Sequence, residues 1–98
     1  MINSHYDQRR SLLYKGLKNI NGIFIEEPNG ACYAFPRLPN SSITSVDFCN
    51  KVLQDYGLVV VPGKAFGADE CIRISCAASE VKIRDGLKRL EKTISKYY

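Results

Sequence analysis

Apolar and polar positions along this 98-residue chain follow two periods, and the changes from one to the other mark out its elements. Ile2, Tyr6, Leu13, Leu17 and Ile20 recur at spacings close to three and four, with Leu12 beside them, which predicts an opening helix. Asn21-Gly22 supplies its stop. Ile23-Phe24-Ile25 and Ala31-Cys32-Tyr33-Ala34-Phe35 read as two strands, and Glu26-Glu27-Pro28-Asn29-Gly30 between them carries turn chemistry, so a hairpin is predicted. Thr44 followed by Asp47 resembles a capping pair for a second helix, whose predicted face is Cys49, Val52, Leu53 and Tyr56 up to the stop at Gly57. Leu58-Val59-Val60-Val61 is a β-branched run of the fully buried kind, closed by Pro62-Gly63. Cys71-Ile72-Arg73-Ile74-Ser75-Cys76 is a further strand, whose alternation sends Ile72 and Ile74 to one face and Arg73 and Ser75 to the other. Ser79-Glu80 opens a final helix with a buried stripe of Ile83, Leu87, Leu90 and Ile94.

The order helix, strand, strand, helix, strand, strand, helix predicts an α+β fold. The expected form is a small two-layer domain with a short, mostly antiparallel sheet and helices on one face. Residues 1–98 read as one domain, without repeat, linker or low-complexity stretch. An apolar fraction of 45% and a charged fraction of 24% argue against disorder. No apolar run approaches a membrane span, and the first residues lack a signal peptide's apolar centre, so no membrane partner is expected.

The net charge of +4 is carried by the two terminal segments, through Arg9, Arg10, Lys15 and Lys18 in one and Lys82, Arg84, Lys88, Arg89, Lys92 and Lys96 in the other. Without an aromatic RNA-binding strand or a zinc-finger spacing beside them, these read as solvated helix faces, and no nucleic acid is expected. Cys32, Cys49, Cys71 and Cys76 form no C-x-x-C pair, and His5 is the lone histidine, so no metal site is expected. Their apolar neighbours suggest buried, reduced thiols and a cytoplasmic protein; the alternative is a two-disulfide secreted module, which a chain with enough apolar residues for a core does not need.

Two features call for more than packing. Pro62-Gly63-Lys64-Ala65-Phe66-Gly67 is a glycine-bearing turn leaving a strand; it lacks the pattern of a phosphate loop and reads as a strand connection. Arg73 sits between Ile72 and Ile74. Its fork suits a planar carboxylate, yet the residue pattern alone equally allows an exposed arginine on an open sheet face.

Taken together, Arg9-Arg10, Pro28-x-Gly30-Ala31-x-Tyr33-x-Phe35, Val60-Val61-Pro62-Gly63-x-x-Phe66-Gly67 and Ile72-Arg73-Ile74-Ser75 resemble the C-terminal third of class I and II aminotransferases, which are homodimeric, fold-type I enzymes dependent on pyridoxal phosphate. The resemblance covers nearly the whole chain, in the family's order. It implies the C-terminal small domain of an enzyme that moves an amino group between an amino acid and a 2-oxo acid. Arg73 takes the position of the arginine that binds the substrate α-carboxylate. By the same resemblance the cofactor, pyridoxal 5'-phosphate, is bound by a large domain absent from these residues, and a second subunit completes a homodimer. No catalytic or cofactor-binding residue is carried over to this chain. The Schiff-base lysine and the residues that hold the pyridine ring have no counterparts, and Lys15, although near Ser11, lies too early in the family's order. The isolated chain is therefore expected to be inactive. A free-standing amino-acid-binding module anchored by Arg73, a basic nucleic-acid-binding domain, and a related lyase or synthase are the competing readings.

Overall fold

A computed structural model describes residues 4–25, 33–40, 42–76 and 78–98, with side chains described from residue 8 onward. The chain runs α1 (Ser4–Lys18), β1 (Tyr33–Ala34), α2 (Ser45–Tyr56), β2 (Val61–Pro62), a 3-10 turn (Gly63–Phe66), β3 (Ile72–Ser75) and α3 (Glu80–Tyr97). The predicted turn at 26–30, Cys32 and Ile2 lie outside the described residues, as does the side chain of Tyr6.

The sheet has the order β1-β3-β2, antiparallel throughout. Tyr33 faces Ser75 and Ala34 faces Ile74, and the same register continues to a bridge between Arg37 and Cys71. Ile72 donates its N–H to Pro36 O at 3.1 Å. Proline has no N–H to return, so that rung carries one bond instead of two and β1 stops short of it. On the other side Pro62 faces Ile72 and Val61 faces Arg73. The central strand is thus flanked by proline on both sides at Ile72, while the pairing around those rungs holds it in place.

The predicted strand at 23–25 shrinks to one bridged residue. Phe24 exchanges both backbone bonds with Arg37, at 3.2 and 2.7 Å. Pairing cannot extend outward, because Pro39 lacks an N–H and Gly22, at φ 89°, turns the chain away. The run at 58–61 also differs from expectation. Val60 is buried, but Val59 is 77% exposed, and only Val61 and Pro62 join the sheet. A run of β-branched residues reports a preference for extended backbone, and it cannot tell one covered face from two.

One core lies between the sheet and the helices. It collects Leu13, Leu17 and Ile20 from α1 and the segment after it, Phe48, Cys49 and Val52 from α2, and Ile83, Leu90 and Ile94 from α3, against Ala34, Leu38, Val60, Ile72 and Cys76. The α+β class and the short antiparallel sheet agree with the sequence pattern. The α2 face is rotated from the predicted one. Ser45, Phe48, Cys49 and Val52 are buried at i, i+3, i+4 and i+7, whereas Leu53 is exposed. The polar Ser45 hid the true stripe.

Helix ends follow their caps. Thr44 Oγ1 accepts the Asp47 N–H at 3.2 Å, and Gly57 closes α2 at φ 68°. Ser79 Oγ accepts the Lys82 N–H at 3.2 Å at the start of α3. Arg89 of α3 donates to the Tyr56 carbonyl, tying the C-terminus of α2 to its neighbour. Lys96 Nζ and the Tyr97 hydroxyl both donate to Asp55 Oδ2, at 3.0 and 2.6 Å, and hold the same two helices at their ends.

Gly63 is the most closely packed of the described glycines. A Cβ there would stand 1.8 Å from Ala68 O and 2.2 Å from Cys71 O, both backbone atoms that cannot step aside. Gly63→Ala should therefore destabilise the fold by about 3 kcal/mol or more, lowering the midpoint of thermal unfolding by about 10 °C or more. Circular dichroism melts of the two chains compare this directly, and an unchanged midpoint would refute the close approach.

Candidate anion-binding face

The two-residue period of β3 turns Ile72 and Ile74 toward the helices and leaves Arg73 and Ser75 on the opposite face. The neighbouring strands obey the same alternation. From residue 33 to 38, Tyr33, Phe35 and Arg37 are exposed while Ala34, Pro36 and Leu38 are buried. Among the described residues, no helix covers the Arg73 side of the sheet with a buried stripe, since the stripes of all three helices belong to the core behind it. The open face thus carries Arg73 and Arg37 among Tyr33, Phe35, Val61 and, from the 3-10 turn, Phe66.

This face is apolar as well as cationic. Phe24, Tyr33, Phe35 and Phe66 are 60%, 42%, 47% and 40% exposed, a concentration of aromatic surface that an isolated domain rarely shows. Phe35 and Phe66 meet edge to face, with ring centroids 5.3 Å apart and planes at 79°. Arg73 is half-buried, and its Cζ lies over the Tyr33 ring, 4.5 Å from the centroid. Among the described residues no carboxylate pairs with it. A half-buried guanidinium with no anion partner among the described residues, on a face that those residues leave open, is suited to receive one from outside.

The turn that carries Phe66 is fixed from behind. Ser45 Oγ donates to Asp69 Oδ1 at 2.7 Å and accepts the Lys64 N–H at 3.1 Å, while the Ser45 N–H also donates to Asp69 Oδ1 at 3.1 Å. These bonds lock α2 to the Gly63–Phe66 turn. They also hold the Asp69 carboxyl below the usual carboxylate range, chiefly through the Ser45 hydroxyl. The Pro62-to-Gly67 segment is the strand connection the sequence predicts, with Gly67 at φ 83° turning the chain toward β3.

Of the predicted features, Arg73 stands on the open face and Lys15 on the solvent side of α1, away from it. Burial pushes the Cys49 thiol up to about 11, and burial likewise raises Cys71. These two thiols are protonated near neutrality and unsuited to nucleophilic work. Tyr33 and Phe66 belong to the family pattern without a role attached to them, and Ser45 and Asp69 carry no sequence signal of their own. Strand alternation could have drawn attention to Tyr33. Nothing local joins Ser45 to Asp69, which are 24 residues apart.

Relatedness gives the family. The profile of the family described as "Aminotransferase class I and II" matches residues 2–90. The chain belongs to the class I and II aminotransferase family. It is 37% identical over 95 residues to an aspartate aminotransferase of Pyrococcus horikoshii, covering 95% of this chain and 24% of that protein. It is 35% identical to aromatic-amino-acid aminotransferase 2 of Thermococcus litoralis, covering 91% and 23% of the two chains. The solved aspartate aminotransferase of Rhizobium meliloti superposes with a TM-score of 0.85 at 33% identity, covering 94% of this chain and 26% of that one. The chain therefore spans about a quarter of the length of the aminotransferases it matches.

The Ser45–Asp69 lock makes a pH prediction. Because the folded state lowers the Asp69 pKa, its contribution is fully present near neutrality. It is lost as pH falls through and below the unfolded value of about 4. Asp69→Asn should lower stability at pH 7 and flatten the loss of stability between pH 5 and 2. Denaturant unfolding at a series of pH values measures it, and parallel curves for the two chains would contradict the assignment.

Proposed function

We propose that this chain is the small domain of a pyridoxal-phosphate-dependent aminotransferase and that Arg73 is its anchor for the substrate α-carboxylate. The reaction is amino-group transfer between an amino acid and a 2-oxo acid, in a homodimer whose large domain supplies the rest of the site. The observation that carries the reading is Arg73 on an uncovered sheet face, half-buried and without a carboxylate partner among the described residues.

The face itself does not fit the cofactor. Pyridoxal phosphate requires a lysine amine, donors for its phosphate and an acid beside its ring nitrogen. The residues in register around Arg73 are Tyr33, Phe35, Val61 and Ser75, with Arg37 beyond, and they include neither lysine nor acid. No step of the reaction is accordingly assigned to this chain. Its part is to bind and orient. Two parallel N–H···O bonds from the fork fix a planar carboxylate in position and in rotation, so that the substrate's Cα–H presents one face to groups held elsewhere. The aromatic surface around Arg73 excludes water when covered, which strengthens the charged pair.

Removing one partner of such a pair costs roughly 2–5 kcal/mol, about 30- to several-thousand-fold in affinity. In the complete enzyme Arg73→Ala should raise KM for the amino-acid substrate on that scale. Arg73→Lys should rescue little, because a point charge replaces the fork. Steady-state kinetics of the two variants test the reading, and near-normal KM in either one contradicts it.

The same reading predicts how the 98-residue chain behaves by itself. Its exposed aromatic face would lie against the large domain in the complete enzyme, so the chain alone should bind 1-anilinonaphthalene-8-sulfonate or self-associate at micromolar concentration. A dye-negative monomer in sedimentation velocity would count against a covered face.

A further inference from the structure

We propose that Tyr33 is a positioning residue for Arg73, its ring fixing the guanidinium while leaving the N–H fork free for a carboxylate. This rests on the reading of Arg73 as the carboxylate anchor.

Arginine is a long side chain, and an anchor that wanders among rotamers loses affinity each time it must be ordered by its ligand. Proteins commonly order an arginine with an internal carboxylate. Such a partner would neutralise the charge and occupy the very donors that a substrate needs. Among the described residues Arg73 has no such partner; its described contact is the Tyr33 ring, 4.5 Å from Cζ to centroid. A ring attracts the cation through its quadrupole, adds no charge of its own, and leaves the hydrogen-bonding edge of the guanidinium available.

Sheet register makes this contact possible. Tyr33 stands directly opposite Ser75, which puts it on the diagonal from Arg73 on the same face, within reach of an aromatic side chain. Behind it, Ala34 faces Ile74, and Ala34 is buried in the core, so the backbone that carries Tyr33 is held from the other side. The attraction resides in the ring, and the phenol hydroxyl is dispensable to it.

Three variants of the complete enzyme separate the possibilities, with the dissociation constant of 2-oxoglutarate and the kinetics of its amination as readouts. Tyr33→Phe should remain within about twofold of the parent. Tyr33→Leu, which keeps apolar bulk and loses the quadrupole, should weaken 2-oxoglutarate binding about three- to tenfold while kcat stays within about twofold. Arg73→Ala calibrates the site. In the isotope-labelled 98-residue chain, the Arg73 Nε–H resonance should be shifted upfield by the ring current in the parent and in Tyr33→Phe, and should lose that shift in Tyr33→Leu.

Parent-like binding by Tyr33→Leu, alongside weak binding by Arg73→Ala, overturns the role of Tyr33 and leaves the anchor standing. Tyr33→Phe as weak as Tyr33→Leu also overturns it, since the hydroxyl would then be the active group. Unchanged binding by Arg73→Ala removes the anchor and this proposal together.

Discussion

Ile72 and Ile74 are held in the apolar layer between sheet and helices, and a strand's two-residue period then leaves Arg73 no choice of side. Complete burial of an isoleucine side chain contributes about 1.5–3 kcal/mol. A slip of one position would expose both isoleucines and bring a guanidinium into the core without an anion, which is far costlier. The hydrophobic effect, acting on its neighbours, thus aims a residue that takes no part in the core. The same alternation brings Tyr33, Phe35 and Val61 to that face from the flanking strands, so an arginine and an aromatic surface are placed together by one constraint.

Pro36 leaves the Ile72 rung with one bond instead of two, and the surrounding structure compensates. Gly63 brings its own backbone against Ala68 and Cys71 too closely for any side chain. Ser45 and Asp69 then join that turn to the start of α2. Phe66, carried by the turn, reaches the edge of Phe35. What looks like a loose strand connection is therefore a rigid support for one border of the open face, and rigidity there favours a preorganised anion site over one that must be ordered by its ligand.

Much of this was legible in the residues. The caps at Thr44 and Ser79, the stop at Gly57 and the alternation of β3 are local signals, and each reports its own geometry. The family resemblance of the Arg73 strand and the Pro62-to-Gly67 turn agreed with the family match over residues 2–90. What escaped the sequence was non-local. The α2 face was misread because buried Ser45 is satisfied by Asp69, a partner that no spacing rule connects to it. Val59 reads as core from its own side chain, but exposure depends on which faces of the sheet are covered. The short reach of the predicted strand at 23–25 follows from Pro39 and Gly22, one across the pairing and one before it. The partnership of Tyr33 with Arg73 needed the register of two strands almost forty residues apart in the chain.

On the proposed reading, the site has its charge, its orientation and its support within this chain, and its cover and reacting centre come from the rest of the enzyme. The most direct measurement is a crystal structure of the complete enzyme with a non-reactive carboxylate analogue of its substrate. The account predicts both carboxylate oxygens about 3 Å from two nitrogens of Arg73, with the Tyr33 ring still against the guanidinium and the aromatic face covered. Arg73 bound instead to an acidic side chain of the rest of the protein, with the analogue's carboxylate held elsewhere, would contradict it.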